Sequence, residues 1–248
     1  MSAHTAPIAI EDPPPGTLPR LAGAQLHEIH AAAKDWASAL LFGLASIEAP
    51  PGKPILLMRT RRRGSITVPC GEGLGALGID PARLVIVDAR DGAALLRAGL
   101  DAARNSGPAA VLLESWGPLR EYDLVASRRL ILAAESSRIP VVMLRGDAEP
   151  RASAAHTRWT VAGAPSAPLE MQAPGAPTLI VELVRRRGGP AGQRWRLEWN
   201  EEHGGFRERP LDFEDPDLDG SIRRPAPVSG TVVSLPAVRT RAPLRRTA

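Results

Sequence analysis

Residues 28–40 read Glu28-Ile29-His30-Ala31-Ala32-Ala33-Lys34-Asp35-Trp36-Ala37-Ser38-Ala39-Leu40. The first of these complete a short strand that starts near Leu26. From Asp35 to Ser46 the spacing is helical, with Trp36, Ala39, Leu40 and Gly43 on one face. A strand that hands over directly to a helix opens an α/β domain. In a nucleotide-binding domain this corner holds glycines, whose backbone N–H groups approach the phosphates, and a lysine. Here it holds three alanines and a tryptophan.

Outward from that corner, four short apolar runs follow at 55–58, 84–87, 109–113 and 141–144. Continuous runs of this length suit strands of a parallel sheet buried on both faces. Helical patterns separate the last three. Asp91 caps one that runs to Arg104, with Leu95, Leu96, Leu100 and Ala103 facing inward and Gly107 at its end. The other spans 123–138, with Leu124, Leu130, Ile131 and Ala134 on one side and Pro140 as its stop. Strand–helix alternation predicts an α/β fold with right-handed crossovers. After Arg145 the pattern becomes strand-rich, at 158–161, 178–184 and 194–199. Gly188-Gly189-Pro190 makes the last two a hairpin.

The ends differ from the middle. Asp12-Pro13-Pro14-Pro15-Gly16 marks residues 1–24 as a disordered arm, and Pro, Arg and Asp dominate 207–248, read as a disordered tail. With 248 residues, the chain suits one domain plus these tails. The net charge of +4 permits contact with nucleic acid or an acidic partner without requiring it. Cys70 is the only cysteine, which rules out an internal disulfide and fits a reducing, cytoplasmic home. No apolar run reaches the ~20 residues of a membrane span, and residues 1–20 lack the apolar segment of a secretory signal.

A set of blocks in fixed order resembles the ImuA family, RecA-related proteins encoded with bacterial translesion synthesis factors. The blocks begin with Leu26-His27-Glu28-Ile29-His30 and Leu74-Gly75-Ala76-Leu77-Gly78-Ile79-Asp80-Pro81-Ala82-Arg83-Leu84. Next come Ala110-Val111-Leu112-Leu113-Glu114-Ser115-Trp116-Gly117 and Ser127-Arg128-Arg129-Leu130. The last are Thr157-Arg158-Trp159, Arg185-Arg186-Arg187-Gly188-Gly189-Pro190 and Trp195-Arg196-Leu197-Glu198-Trp199. The resemblance implies a RecA-like α/β domain over 25–206, with a mostly parallel sheet, flanking helices and a strand-rich C-terminal part.

Placed on the RecA pattern, the phosphate-loop glycines fall on Ala31 and Trp36 and the lysine on Ala37, and only Ser38 keeps its hydroxyl. Lys34 comes three residues early and points elsewhere. Glu114 stands at the end of a buried strand, where a magnesium-binding acid is expected; with no phosphate to bridge, capping a turn or pairing with an arginine is the plainer role. A basic run from Met58-Arg59-Thr60 into Arg61-Arg62-Arg63 replaces the water-activating glutamate. Arg145-Gly146 replaces the polar switch after the fourth strand. These losses predict a chain that does not hydrolyse ATP and binds no cofactor or metal.

Other motifs are decoys. Gly73-Leu74-Gly75-Ala76-Leu77-Gly78 fits a dinucleotide spacing, but Asp80-Pro81 breaks the helix at once, so a short helix stopped by Gly78 is expected. Asp215-Pro216-Asp217-Leu218-Asp219-Gly220 resembles a calcium loop without its glutamate. His27 and His30 are read as surface or core-edge residues. Trp195 and Trp199 share one face of a strand, directed to the core.

Two basic runs remain as candidate partner or DNA contacts: Arg61, Arg62 and Arg63, and Arg185, Arg186 and Arg187. The arginines of the tail, from Arg223 to Arg246, are a further candidate. The resemblance implies a non-catalytic accessory role in SOS-induced translesion synthesis, alongside an ImuB-type Y-family-like protein and an error-prone DNA polymerase, with DNA or RecA as additional contacts. The alternative is an ATP-binding RecA-like enzyme or switch with a non-standard site around Lys34, Ser38 and Glu114.

Overall fold

The computed structural model describes residues 18–21, 23–47, 50, 52–60 and 68–211. The run Arg61-Arg62-Arg63, the calcium-like segment and the arginines of the tail lie outside the described residues.

The parallel part of the sheet holds β1 (Leu26–Ala31), β2 (Ile55–Thr60), β3 (Leu84–Ala89), β4 (Ala110–Trp116), β5 (Val141–Gly146) and β6 (Thr157–Ala164). Three antiparallel strands extend it: β7 (Thr178–Arg186), β8 (Arg194–Asn200) and β9 (Gly205–Arg209). The order is β3-β2-β4-β5-β1-β6-β7-β8-β9. This is the mostly parallel α/β sheet with a strand-rich C-terminal part that the sequence implied. β9 carries regular structure past position 206, where the tail was expected to begin. Phe206 is in that strand, its ring edge-on to Trp199 at 5.3 Å.

Helices cover the two faces of the sheet. On one side lie α1 (Trp36–Ala45) and the short α2 (Gly71–Ala76), packed on Ile29, Leu57, Leu112, Leu144 and Trp159. On the other lie α3 (Gly92–Ala103) and α4 (Leu124–Ser137), packed on Leu26, Met58, Leu113 and Met143. The period-2 alternation of strand side chains sends neighbours such as Leu112 and Leu113 to opposite cores. Both are fully buried, each worth roughly 2–3 kcal/mol of apolar burial.

The helix starts are encoded locally. Asp91 Oδ1 accepts the Ala94 N–H at 2.7 Å, and Asp123 Oδ1 accepts that of Ala126 at 2.8 Å. α2 ends as expected at Gly78, whose φ of +65° suits glycine. α3 approaches β4 closely at Gly99, where a Cβ would lie 2.4 Å from Leu113. In α4 the buried stripe begins at Ser127 and continues through Leu130, Ile131 and Ala134. Leu124, expected inside, is 55% exposed, because the first turn lies beyond that stripe. Trp195 and Trp199 face the core as expected, with the Trp195 ring tilted at 44° against Trp159 at 5.8 Å.

Among the described residues no helix is long and apolar enough to cross a membrane.

Candidate functional site

The strand–helix corner is closed by side chains. β1 ends at Ala31, a 3-10 turn spans Ala33–Asp35, and α1 starts at Trp36. The Trp36 indole N–H donates to Glu114 Oε1 at 2.9 Å, and the Trp116 indole N–H donates to the same oxygen at 2.7 Å. Glu114 is thus a bracket for two tryptophans, neither a turn cap nor an arginine partner as first read. Its other oxygen, Oε2, has no partner among the described residues. Glycine at 146 admits the Trp116 ring, since a Cβ there would lie 2.2 Å from it. The space left among Ile29, Trp36, Glu114, Trp116 and Gly146 is about 10 Å³, room for one water.

Two aspartates hold backbone N–H groups at and beside the corner. The Ala33 N–H donates to Asp147 Oδ1 at 2.7 Å, so a carboxylate sits where an anion would be cradled. Asp35 Oδ1 accepts the Gly163 N–H at 2.9 Å, tying the corner to β6. Ser38, the one residue matching the phosphate-loop hydroxyl, lies against Gly163, its Oγ 3.1 Å from where a Cβ would stand. Lys34 is exposed in the 3-10 turn. A larger hollow, about 150 Å³, lies beside the corner between α1 and residues 69–79. Leu40, Leu41, Leu44, Leu74 and Leu77 make its lining among the described residues apolar.

A second polar cluster lies on the opposite face of the sheet, and sequence reasoning missed it. Glu28 is 1% exposed at the centre of β1. Its Oε1 accepts the Tyr122 hydroxyl and its Oε2 the Arg158 Nε–H, each at 2.7 Å. His30 Nε2 lies 3.8 Å from Oε2, and its Nδ1 is 3.2 Å from the Ala148 carbonyl. Arg145 stacks its guanidinium 5.6 Å above the Tyr122 ring.

Burial by itself would raise the Glu28 carboxyl. Hydrogen bonds from His30, Ser153, Tyr122 and Arg158 outweigh it and hold the group at about 2. Burial, reinforced by the charge of Glu28, pushes the Tyr122 hydroxyl well above its ordinary range, so it stays a neutral donor. Burial lowers Arg145.

His27 and His30, read as surface or core-edge residues, are both buried, and His27 Nδ1 meets Thr157 Oγ1 at 2.7 Å. The signal that could have exposed this cluster is a carboxylate and two histidines, Glu28, His27 and His30, inside one short strand.

The remaining sequence candidates are dispersed. Arg59 pairs with Asp88 at 3.0 Å, between β2 and β3. Arg185 and Arg186 close β7, and Arg187 is exposed at the start of the hairpin loop. Arg185 Nη1 donates to the Ser153 carbonyl at 3.1 Å, and the Arg187 backbone N–H donates to the His156 carbonyl at 2.7 Å. Burial, aided by the positive charge of Arg187, lowers the nearby His156. The Arg185 side chain and the Arg187 backbone therefore tie this end of β7 to the segment before β6, and the Arg187 side chain is the most open of the three.

Over 151 residues the chain is 39% identical to Protein ImuA of Caulobacter vibrioides, in both strain NA1000 / CB15N and strain ATCC 19089 / CIP 103742 / CB 15. Over that stretch the chain is similar to ImuA. The match takes in 56% of this chain and 59% of the ImuA proteins, less than two thirds of their length. No family model matches the chain. Among solved structures, the RadB recombinase is similar at a TM-score of 0.49 and 16% identity, over 75% of this chain and 91% of that one. SulA from Pseudomonas aeruginosa is similar at a TM-score of 0.38 and 22% identity, over 49% of this chain and 97% of that one.

Proposed function

We propose that the chain is a non-catalytic accessory protein of SOS-induced translesion DNA synthesis and mutagenesis, working in the cytoplasm by surface contact. Its partners in this reading are an ImuB-type Y-family-like protein and an error-prone DNA polymerase, with DNA or RecA as additional contacts. The similarity to ImuA supports the pathway. The observation that carries the non-catalytic part is the Trp36–Glu114–Trp116 bracket, which fills the corner where a phosphate-binding loop would lie. Phosphoryl transfer depends on positioned phosphates, a metal and an oriented nucleophile. An indole pair on the acidic side chain and an aspartate on the corner N–H serve none of these.

Co-purification tests the reading. The tagged full chain, isolated from its host after DNA damage, is expected to bring down the ImuB-type protein, and deletion is expected to abolish damage-induced mutagenesis. Recovery of neither partner, together with an undiminished mutagenic response in the deletion strain, would refute it.

A further inference from the structure

The Ser127-Arg128-Arg129-Leu130 block is only half explained by the fold. Ser127 is fully buried; its Oγ donates to the Asp123 carbonyl at 2.8 Å and accepts the Ala154 N–H at 2.9 Å. Leu130 is core, 1% exposed. Arg128 and Arg129 point outward, and among the described residues neither has a hydrogen bond or ion pair.

Their surroundings are unusual for a solvent face. Val125 is 59% exposed and Leu132 54%. Positions 125, 128, 129 and 132 are spaced i, i+3, i+4 and i+7, which is one continuous stripe of a helix. Leu124 borders it. Of the eight large apolar side chains exposed among the described residues, three therefore lie on this one helix. Exposed apolar side chains are ordinary when scattered; gathered beside two unpaired guanidinium groups they form a patch.

We propose that the outward face of α4 docks an acidic amphipathic helix of a partner protein. It rests on the reading above only in that the chain acts by surface contact. Val125 and Leu132 are the apolar anchors, one at each end of two turns. Arg128 and Arg129, between them, meet carboxylates, which a guanidinium fork binds in bidentate geometry. Docking of a helix on such a stripe uses i, i+3, i+4 and i+7 contacts. The exposed Glu135 extends the stripe three residues past Leu132. Its carboxylate suits a partner helix that carries one basic residue beside its acidic ones.

The test uses the full chain in its host after DNA damage, with a benzophenone amino acid in place of Leu132. The expected result is an adduct mapped to an acidic, apolar helical segment of one protein. In Arg128→Glu/Arg129→Glu the adduct should fall about tenfold or more. Both positions are exposed, so the variant should keep the wild-type circular dichroism spectrum and melting temperature. An adduct with nucleic acid, an adduct with a second copy of the chain, or no adduct would overturn the proposal. An adduct on an acidic helix of a protein outside translesion synthesis would uphold the surface and refute the partners named above. An intact mutagenic response with no adduct would refute the surface alone.

Discussion

Glu28→Gln is expected to destabilise the fold by about 3–5 kcal/mol, the cost of leaving a buried arginine without its anion. Glu28 is the carboxylate that Arg158 and Tyr122 both bind, and the Arg158 side chain is itself only 12% exposed. The substitution keeps the size of the side chain, so no cavity is created. The loss is electrostatic, and guanidinium denaturation at neutral pH measures it.

The same residue sets a pH signature. Its pKa falls from an ordinary 4.5 to about 2 in the folded state. A depressed carboxyl contributes stability that is fully present above the unfolded pKa and is lost as pH falls through the folded one. The wild type should thus lose about 3 kcal/mol between pH 4.5 and pH 2 from this group alone. Glu28→Gln should flatten that part of the curve. A neutral-pH loss below about 1 kcal/mol, with the acid limb unchanged, would show that Glu28 is not the hub of the cluster.

Trp116→Ala is expected to cost about 3 kcal/mol, near the low end for a large aromatic because Trp116 is only partly buried. The ring rests on Gly146, and its indole N–H supplies one of the two donors to Glu114. Trp116→Phe separates these contributions: it keeps most of the ring and loses the donor, for about 1–2 kcal/mol. If alanine and phenylalanine cost the same, packing on Gly146 contributes nothing. The opened space still should not bind phosphate, because Asp147 continues to hold the Ala33 N–H.

The three longer helices were legible in the sequence because each is marked twice, by apolar periodicity and by a cap or breaker, and four of the parallel strands stood out as short continuous apolar runs. Asp91 and Asp123 begin helices, and Pro140 follows the second of them. The departure of this corner from the phosphate-loop pattern was also legible, since Ala31, Trp36 and Ala37 stand where that pattern has glycines and a lysine. What replaced it was not. Trp36 and Trp116 are 80 positions apart, and only strand order brings both onto Glu114. The Glu28 cluster draws on β1, β5, β6 and the turn before α4, so no local pattern predicts it. Leu124 shows the reverse failure: its helical spacing is right, but the first turn of α4 lies beyond the buried stripe that starts at Ser127.

With Trp36, Trp116 and Asp147 filling this corner, calorimetric titration of magnesium–ATP into the full chain is expected to give no saturable heat up to millimolar nucleotide. One-site binding at micromolar affinity, abolished by Lys34→Ala, would contradict it and restore the nucleotide-switch reading.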